Sequence, residues 1–171
     1  RPVVDRWMMS RLATVERETD ERLQGFDATA AARGLMDFVV DDVSNWYVRL
    51  NRARFYEVDT ADSRAAFATL HEVLVVVTRL LAPFAPFVSD WIHRELTGGS
   101  VNLAPFRRAL GTNEGEDEVL ERAMSRVRAL ARLGGAAGGE KEQKVRQTSA
   151  RRGWVVPGFR GAGLSERVPW R

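Results

Sequence analysis

The sequence has no cysteine and holds only two histidines and two lysines among its 171 residues. Without cysteine, neither a disulfide framework nor a thiolate metal site can form. His71 and His93 lie 22 residues apart, not at the i, i+4 spacing that aims two imidazoles at one metal from a helix. His71 is expected on a helix rim and His93, beside Trp91, in a packing or surface role. No glycine-rich loop follows a strand-like run, so a phosphate cradle is not expected. The one glycine cluster, GGAAGG at 134–139, follows a helical pattern and reads as a stop signal and linker. Long apolar runs are missing too. The richest stretch, Val73 to Val88, is broken by Arg79, Pro83 and Pro86, whereas a membrane span needs about 20 apolar residues. The opening RPVVDRWMMSRL sets charges where a signal peptide keeps its apolar core. No membrane association is expected, and a cytoplasmic location fits.

Charge is present but unevenly placed. The net charge of +3 suggests a polyanion partner until the chain is divided. Residues 140–171 hold eight basic and three acidic residues, which leaves 18 basic against 20 acidic in residues 1–139. The compact part is slightly acidic, so any polyanion site must be a local patch. Nearly all the basic residues are arginine, 24 against two lysines. Arginine suits bidentate phosphate or base contacts, but a chain this rich in Arg, Ala, Gly and Val also matches a biased genomic composition.

Helical periodicity dominates. Val4, Met8, Leu12, Val15, Leu23 and Phe26 share one face of a helix ending at Gly25. Asp27 reads as the N-cap of a second helix. Leu35, Val39, Val43, Trp46, Leu50 and Ala53 carry its stripe to about Tyr56, roughly 45 Å of continuous helix. A third, capped at Asp59, Thr60 or Asp62, buries Phe67, Leu70, Leu74, Val77 and Leu81 and ends at Pro83. A fourth starts at Pro86 with Phe87, Trp91, Ile92 and Leu96 on its stripe and stops at Gly98-Gly99. SVNLAPF at 100–106 reads as extended, and Val119 to Leu130 marks a fifth helix. The expected fold is all-α: an antiparallel bundle of about five helices in residues 1–139, with its stable core in 1–97. Residues 140–171 form an irregular basic tail or the edge of a further domain.

Residues 37–59 pose the functional question. Asp37, Asp41 and Asp42 precede an Asn-Trp-Tyr triplet, and Arg49, Arg52 and Arg54 follow it. Three carboxylates could hold a cation, but pairing with arginines of a neighbouring helix is the stronger reading, and no metal site is expected. Trp46 falls on the apolar stripe and is expected in the core, with Tyr47 packing beside it. Arginines at a helix C-terminus gain about 0.3–1 kcal/mol each from the macrodipole, with no ligand needed. That does not account for Asn51, Phe55 and Tyr56 among them. Guanidinium, amide and aromatic groups together are what single-stranded RNA bases are read with. No set of residues resembles a catalytic centre.

The strings DRWMMSRL (5–12), FDATAAARGLMDFVVDDVSNWYVRLNRARFY (26–56), LLAPFAPFVSDWIHREL (80–96), SVNL (100–103) and KVRQ (144–147) carry a resemblance. In that order they are similar to the anticodon-binding helical region of the isoleucyl-tRNA synthetase family, across residues 3–147. SNWYVR followed by RxRF is the most specific part. The valyl and leucyl relatives share the bundle but not the full string. Thr148 stands where the family has proline after KVRQ, and GGAAGG replaces a charged helical continuation.

The resemblance implies a recognition bundle for the isoleucine tRNA. Its parent ligase would use ATP and Mg2+, with catalytic and editing domains N-terminal to Arg1. This region by itself would have no catalytic residue and no cofactor. The implied partners are tRNA and the parent catalytic domain, with the protein a monomer. By position in the motif, the implied anticodon contacts are Arg6, Trp7, Ser10 and Arg11 at the start of the first helix. At the end of the second they are Arg49, Asn51, Arg52, Arg54 and Phe55. A valyl-type domain, or a protein-interaction bundle with no RNA role, is the alternative.

Overall fold

The computed structural model describes residues 2–57, 59–106 and 116–139. Clustering of contacts divides the chain into two compact units, Arg1–Ala129 and Leu130–Arg171. Of the second unit, residues 130–139 are the end of a helix. The expected basic tail at 140–171 lies outside the described residues.

The first unit is an all-α bundle, and no strand occurs among the described residues. Helix α1 spans Val3–Gln24 and α2 spans Ala28–Asp37. A π-helix follows over Phe38–Val48, and a short α3 over Arg52–Tyr56. Helices α4 (Ala61–Leu81) and α5 (Pro86–Thr97) come next, then a 3-10 turn at Val101–Leu103 and helix α6 from Glu118 to Gly139. No described helix is long and apolar enough to cross a membrane.

Helix ends follow the local chemistry. The Asp27 carboxylate accepts the Ala30 N–H at 2.9 Å, which caps α2 as the sequence predicts. Of the three candidate caps for α4, Thr60 is used: its hydroxyl accepts from the Ser63 N–H at 2.9 Å. Pro86 sits in the first turn of α5, and Gly98, at φ 77°, closes that helix. The α1–α2 corner is less usual. Phe26, expected on the α1 stripe, instead adopts φ 59° just past the helix and is 96% exposed. Its N–H donates to Leu23 and the Asp27 N–H to Arg22, the two bonds that close a helix through a left-handed residue. Two further expectations change. SVNL forms a 3-10 turn, not an extended run. Helix α6 also runs through GGAAGG to Gly139, because glycine costs a helix only about 1 kcal/mol per residue and no proline breaks the run.

The core is Trp7, Met8, Leu12 and Val15 of α1, packed on Leu35, Phe38, Val43 and Tyr47, and closed by Val73, Val76, Val77 and Leu80 of α4. Burial along 35–51 differs from the α-helical stripe. Phe38, Asp42, Val43, Tyr47 and Asn51 are buried, Trp46 is half-buried and Leu50 is 55% exposed. The cause is the π-helix: bonds closing i→i+5 add almost a residue to each turn, so the inward positions advance along the chain. Helix α5 also turns away from its expected stripe. Ser89 and His93 are its buried residues, while Phe87 and Trp91 are 90% and 67% exposed.

His93 is buried with Nδ1 2.8 Å from the Thr78 hydroxyl. Burial holds its imidazole below the ordinary range, the nearby Arg79 adds to that, and Asp90 opposes it. A histidine whose folded pKa is depressed supports the fold above the unfolded value near ~6.5, and that support is lost as pH falls. Lowering the pH from 7.5 to 5 is therefore expected to reduce the melting temperature of the wild type more than that of His93→Gln. Parallel pH dependences in a thermal melt would remove this assignment.

Candidate nucleic-acid interface

The end of the second helical stretch and the start of α1 meet over one buried carboxylate. Asp5 is fully buried. The Arg54 guanidinium donates to both of its oxygens, at 2.7 and 2.9 Å, and the Tyr47 hydroxyl donates to Oδ1 at 2.9 Å. Arg54 also donates to Asn51 Oδ1 at 2.8 Å and, through Nε, to Asp62 at 2.8 Å. Asn51 in turn donates to the Tyr47 carbonyl at 2.8 Å. The hydrogen bonds to Asp5 hold the Arg54 cation more firmly than in water, and burial followed by the Asp5 charge raises the Tyr47 phenol. Phe55 packs edge-on against Tyr47 and Phe67, with ring centroids 6.4 and 5.1 Å apart.

A second polar seam joins α1 to α6. Ser10 donates to Glu121 and accepts the Asp117 N–H at 2.7 Å. Thr14 donates to Glu121 at 2.9 Å, and Arg17 reaches Glu116 at 2.9 Å. Arg11 bridges Asp42 and Glu121, at 3.2 Å each. Arg128 also pairs with Asp42, and its guanidinium lies 5.8 Å from the Trp7 ring centre and 5.5 Å from that of Trp46. This is a cation–π arrangement. An open cleft of about 330 Å³ lies beside it, lined by Trp7, Arg11, Asp42, Glu121 and Arg128 among others. Of the three aspartates, Asp42 thus pairs with arginines of neighbouring helices, while Asp37 and Asp41 are exposed. Among the described residues, no group of three or more potential metal ligands is assembled.

Beyond these two networks, three of the expected contacts remain in solvent: Arg6, Arg49 and Arg52. Arg6 is tied only to Asp117, at 3.8 Å with both side chains largely exposed. Arg52 lies over the ring of Tyr56, 5.9 Å from its centre, and Tyr56 is 72% exposed. The other expected contacts are internal. Trp7, Ser10 and Asn51 are buried, Arg11 and Arg54 are half-buried in ion pairs, and Phe55 lies at the core edge. Sequence reasoning did not single out Asp5, Tyr56 or Arg128. An Asp in the first turn of α1 carried one usable signal, since a carboxylate near a helix N-terminus already invites a partner.

The family model for the anticodon-binding domain of tRNA ligases matches residues 5–150. The chain belongs to this family. Isoleucine–tRNA ligase of Porphyromonas gingivalis is 40% identical over 153 residues, which are 88% of this chain and 13% of that protein. The Deinococcus radiodurans ligase is 43% identical over 153 residues, 88% of this chain and 14% of its own length. For the Thermobifida fusca ligase the figures are 41% over 173 residues, 98% and 16%. The chain therefore spans about one seventh of the length of these curated relatives. As an anticodon-binding domain, the bundle presents a mixed surface. Exposed cations lie within a few residues of Asp5 and Arg54, whose own charges are spent inside.

Proposed function

We propose that this bundle recognises the anticodon region of the isoleucine tRNA as part of an isoleucine–tRNA ligase. The observation that carries the reading is the Asp5–Arg54 pair. It brings the start of α1 beside the end of α3 while Arg6, Arg49, Arg52 and Tyr56 stay in solvent. Cations with an exposed ring suit phosphates and splayed bases. The names of the relatives supply the amino acid. In this reading Arg6, Arg49 and Arg52 touch RNA. Trp7, Ser10, Arg11, Asn51, Arg54 and Phe55 build the surface that holds them.

The ligase joins isoleucine to its tRNA at the expense of ATP, with Mg2+, in the cytoplasm and as a monomer. Its catalytic domain is the bundle's intramolecular partner. No residue of the bundle is assigned to ATP or the metal, and its role is to position the tRNA.

The test is equilibrium binding of a tRNA transcript with an isoleucine anticodon to the 171-residue chain, with Arg49→Ala and Arg52→Ala as variants. Each is expected to weaken binding several-fold and to lower the salt dependence by about one contact where a phosphate is lost. Where a base edge is lost, discrimination falls by about 1–3 kcal/mol instead. Melting temperatures should barely move, since exposed substitutions stay within about 0.5 kcal/mol. If both variants bind like the wild type, these arginines are not the RNA contacts.

A further inference from the structure

We propose that Asp5 is a positioning residue for RNA recognition: through Arg54, it fixes Arg6 against Arg49 and Arg52 so that the three cations engage one RNA together. The inference rests on the RNA-binding reading above and adds a group that cannot touch RNA itself.

Three observations carry it. First, Asp5 is 0% exposed and immediately precedes Arg6, so its carboxylate acts only through what it binds. Second, Arg54, two residues past Arg52, spends its planar fork on both Asp5 oxygens and its remaining Nε on Asp62. Two parallel hydrogen bonds fix orientation as well as distance, which a single charge contact does not. Third, the carbonyl of Asn51 receives the Phe55 N–H at 3.2 Å, and its side chain bridges Arg54 and the Tyr47 carbonyl. The residue between Leu50 and Arg52 is thereby locked where the helix is irregular, at φ −92° and ψ 12°. Arg49 and Arg52 lie on either side of this locked turn, and Arg6 lies one residue from its anchor. The chain around the three exposed cations is held by buried bonds, while their own side chains are free to meet a ligand. Binding then avoids much of the ordering cost of bringing two helix ends into register.

The experiment compares the wild type, Asp5→Asn, Tyr47→Phe and Arg52→Ala, all as the 171-residue chain. The probe is an unmodified tRNA transcript with an isoleucine anticodon, titrated at several salt concentrations well below each variant's melting temperature. Circular dichroism confirms helicity. Asp5→Asn is expected to lose about tenfold in affinity and to flatten the slope of log K against log salt by about one contact. A purely structural role would lower the melting temperature and leave the slope of the folded protein unchanged. Tyr47→Phe removes only the hydroxyl that donates to Asp5. It should move both quantities in the same direction by less, and it decides the matter if Asp5→Asn does not fold. Wild-type affinity and slope in the folded variants, or tighter binding, overturn the positioning role while Arg52→Ala still weakens binding. If Arg52→Ala binds normally, or the wild type does not bind, the RNA face itself is wrong and Asp5 has nothing to position.

Discussion

Arg54→Ala is expected to destabilise the bundle by about 3–5 kcal/mol, the usual cost of removing one partner from a buried ion pair. The loss comes from what stays behind. Asp5 is fully buried and keeps only the Tyr47 hydroxyl as a donor once the guanidinium is gone, and a buried carboxylate without its cation has no comparable substitute for water. Asn51 and Asp62 lose their bonds to the same side chain. For a chain of this size the melting temperature should fall on the order of 10 °C. Arg52→Ala, two residues away on an exposed site, should leave it nearly unchanged. Chemical denaturation of the two variants side by side separates them. A melting temperature for Arg54→Ala within about 2 °C of wild type would mean that the pair contributes little.

Tyr47→Ala is expected to cost a similar amount, about 3–5 kcal/mol, as a large aromatic truncation at a fully buried position. It removes a ring that packs on Phe55 as well as the hydroxyl that satisfies Asp5. Trp46→Ala should cost less, since Trp46 is only partly buried, at the edge of the core. Leu50→Gln, at a 55% exposed site, should stay within about 0.5 kcal/mol. This ranking depends on the π-helix. A plain α-helix over 38–48 reverses it, with Trp46 and Leu50 inside and Tyr47 at the margin. Thermal melts of the three variants therefore report on helix type as well as on burial.

The legible parts of the fold were those set by neighbours in sequence. Asp27 caps α2 because an aspartate before an alanine run accepts the backbone donors three residues on. Pro86 and Gly98 bound α5 for reasons confined to one residue each. The π-helix was not legible. Val39, Val43, Trp46 and Leu50 satisfy α-helical spacing, and nothing local says that Phe38 and Tyr47 will bury more. Among the candidate site residues, residue type showed that arginine and aromatics gather at one helix end. It could not show that Arg54 would be consumed by a carboxylate 49 residues earlier. Arg52 and Arg54 look alike in the string RxRF, and only the partner across the fold separates an exposed cation from a buried brace. Arg11 and Ser10 follow the same logic, their partner Glu121 lying about 110 residues later.

That last separation has a consequence during synthesis. Ser10 and Glu121 are 111 residues apart, so at a chain growth of about 5–20 residues per second the α1 groove waits roughly 6–22 s for its partner. What waits there is polar: the Ser10 and Thr14 hydroxyls and the Arg11 cation, all of which water can solvate meanwhile. The apolar face of α1 is covered much sooner, by Leu35, Phe38 and Tyr47, within a few dozen residues of its own synthesis. The order in which the chain leaves the ribosome thus shields the sticky surface first. The surface left open longest is the one that water tolerates.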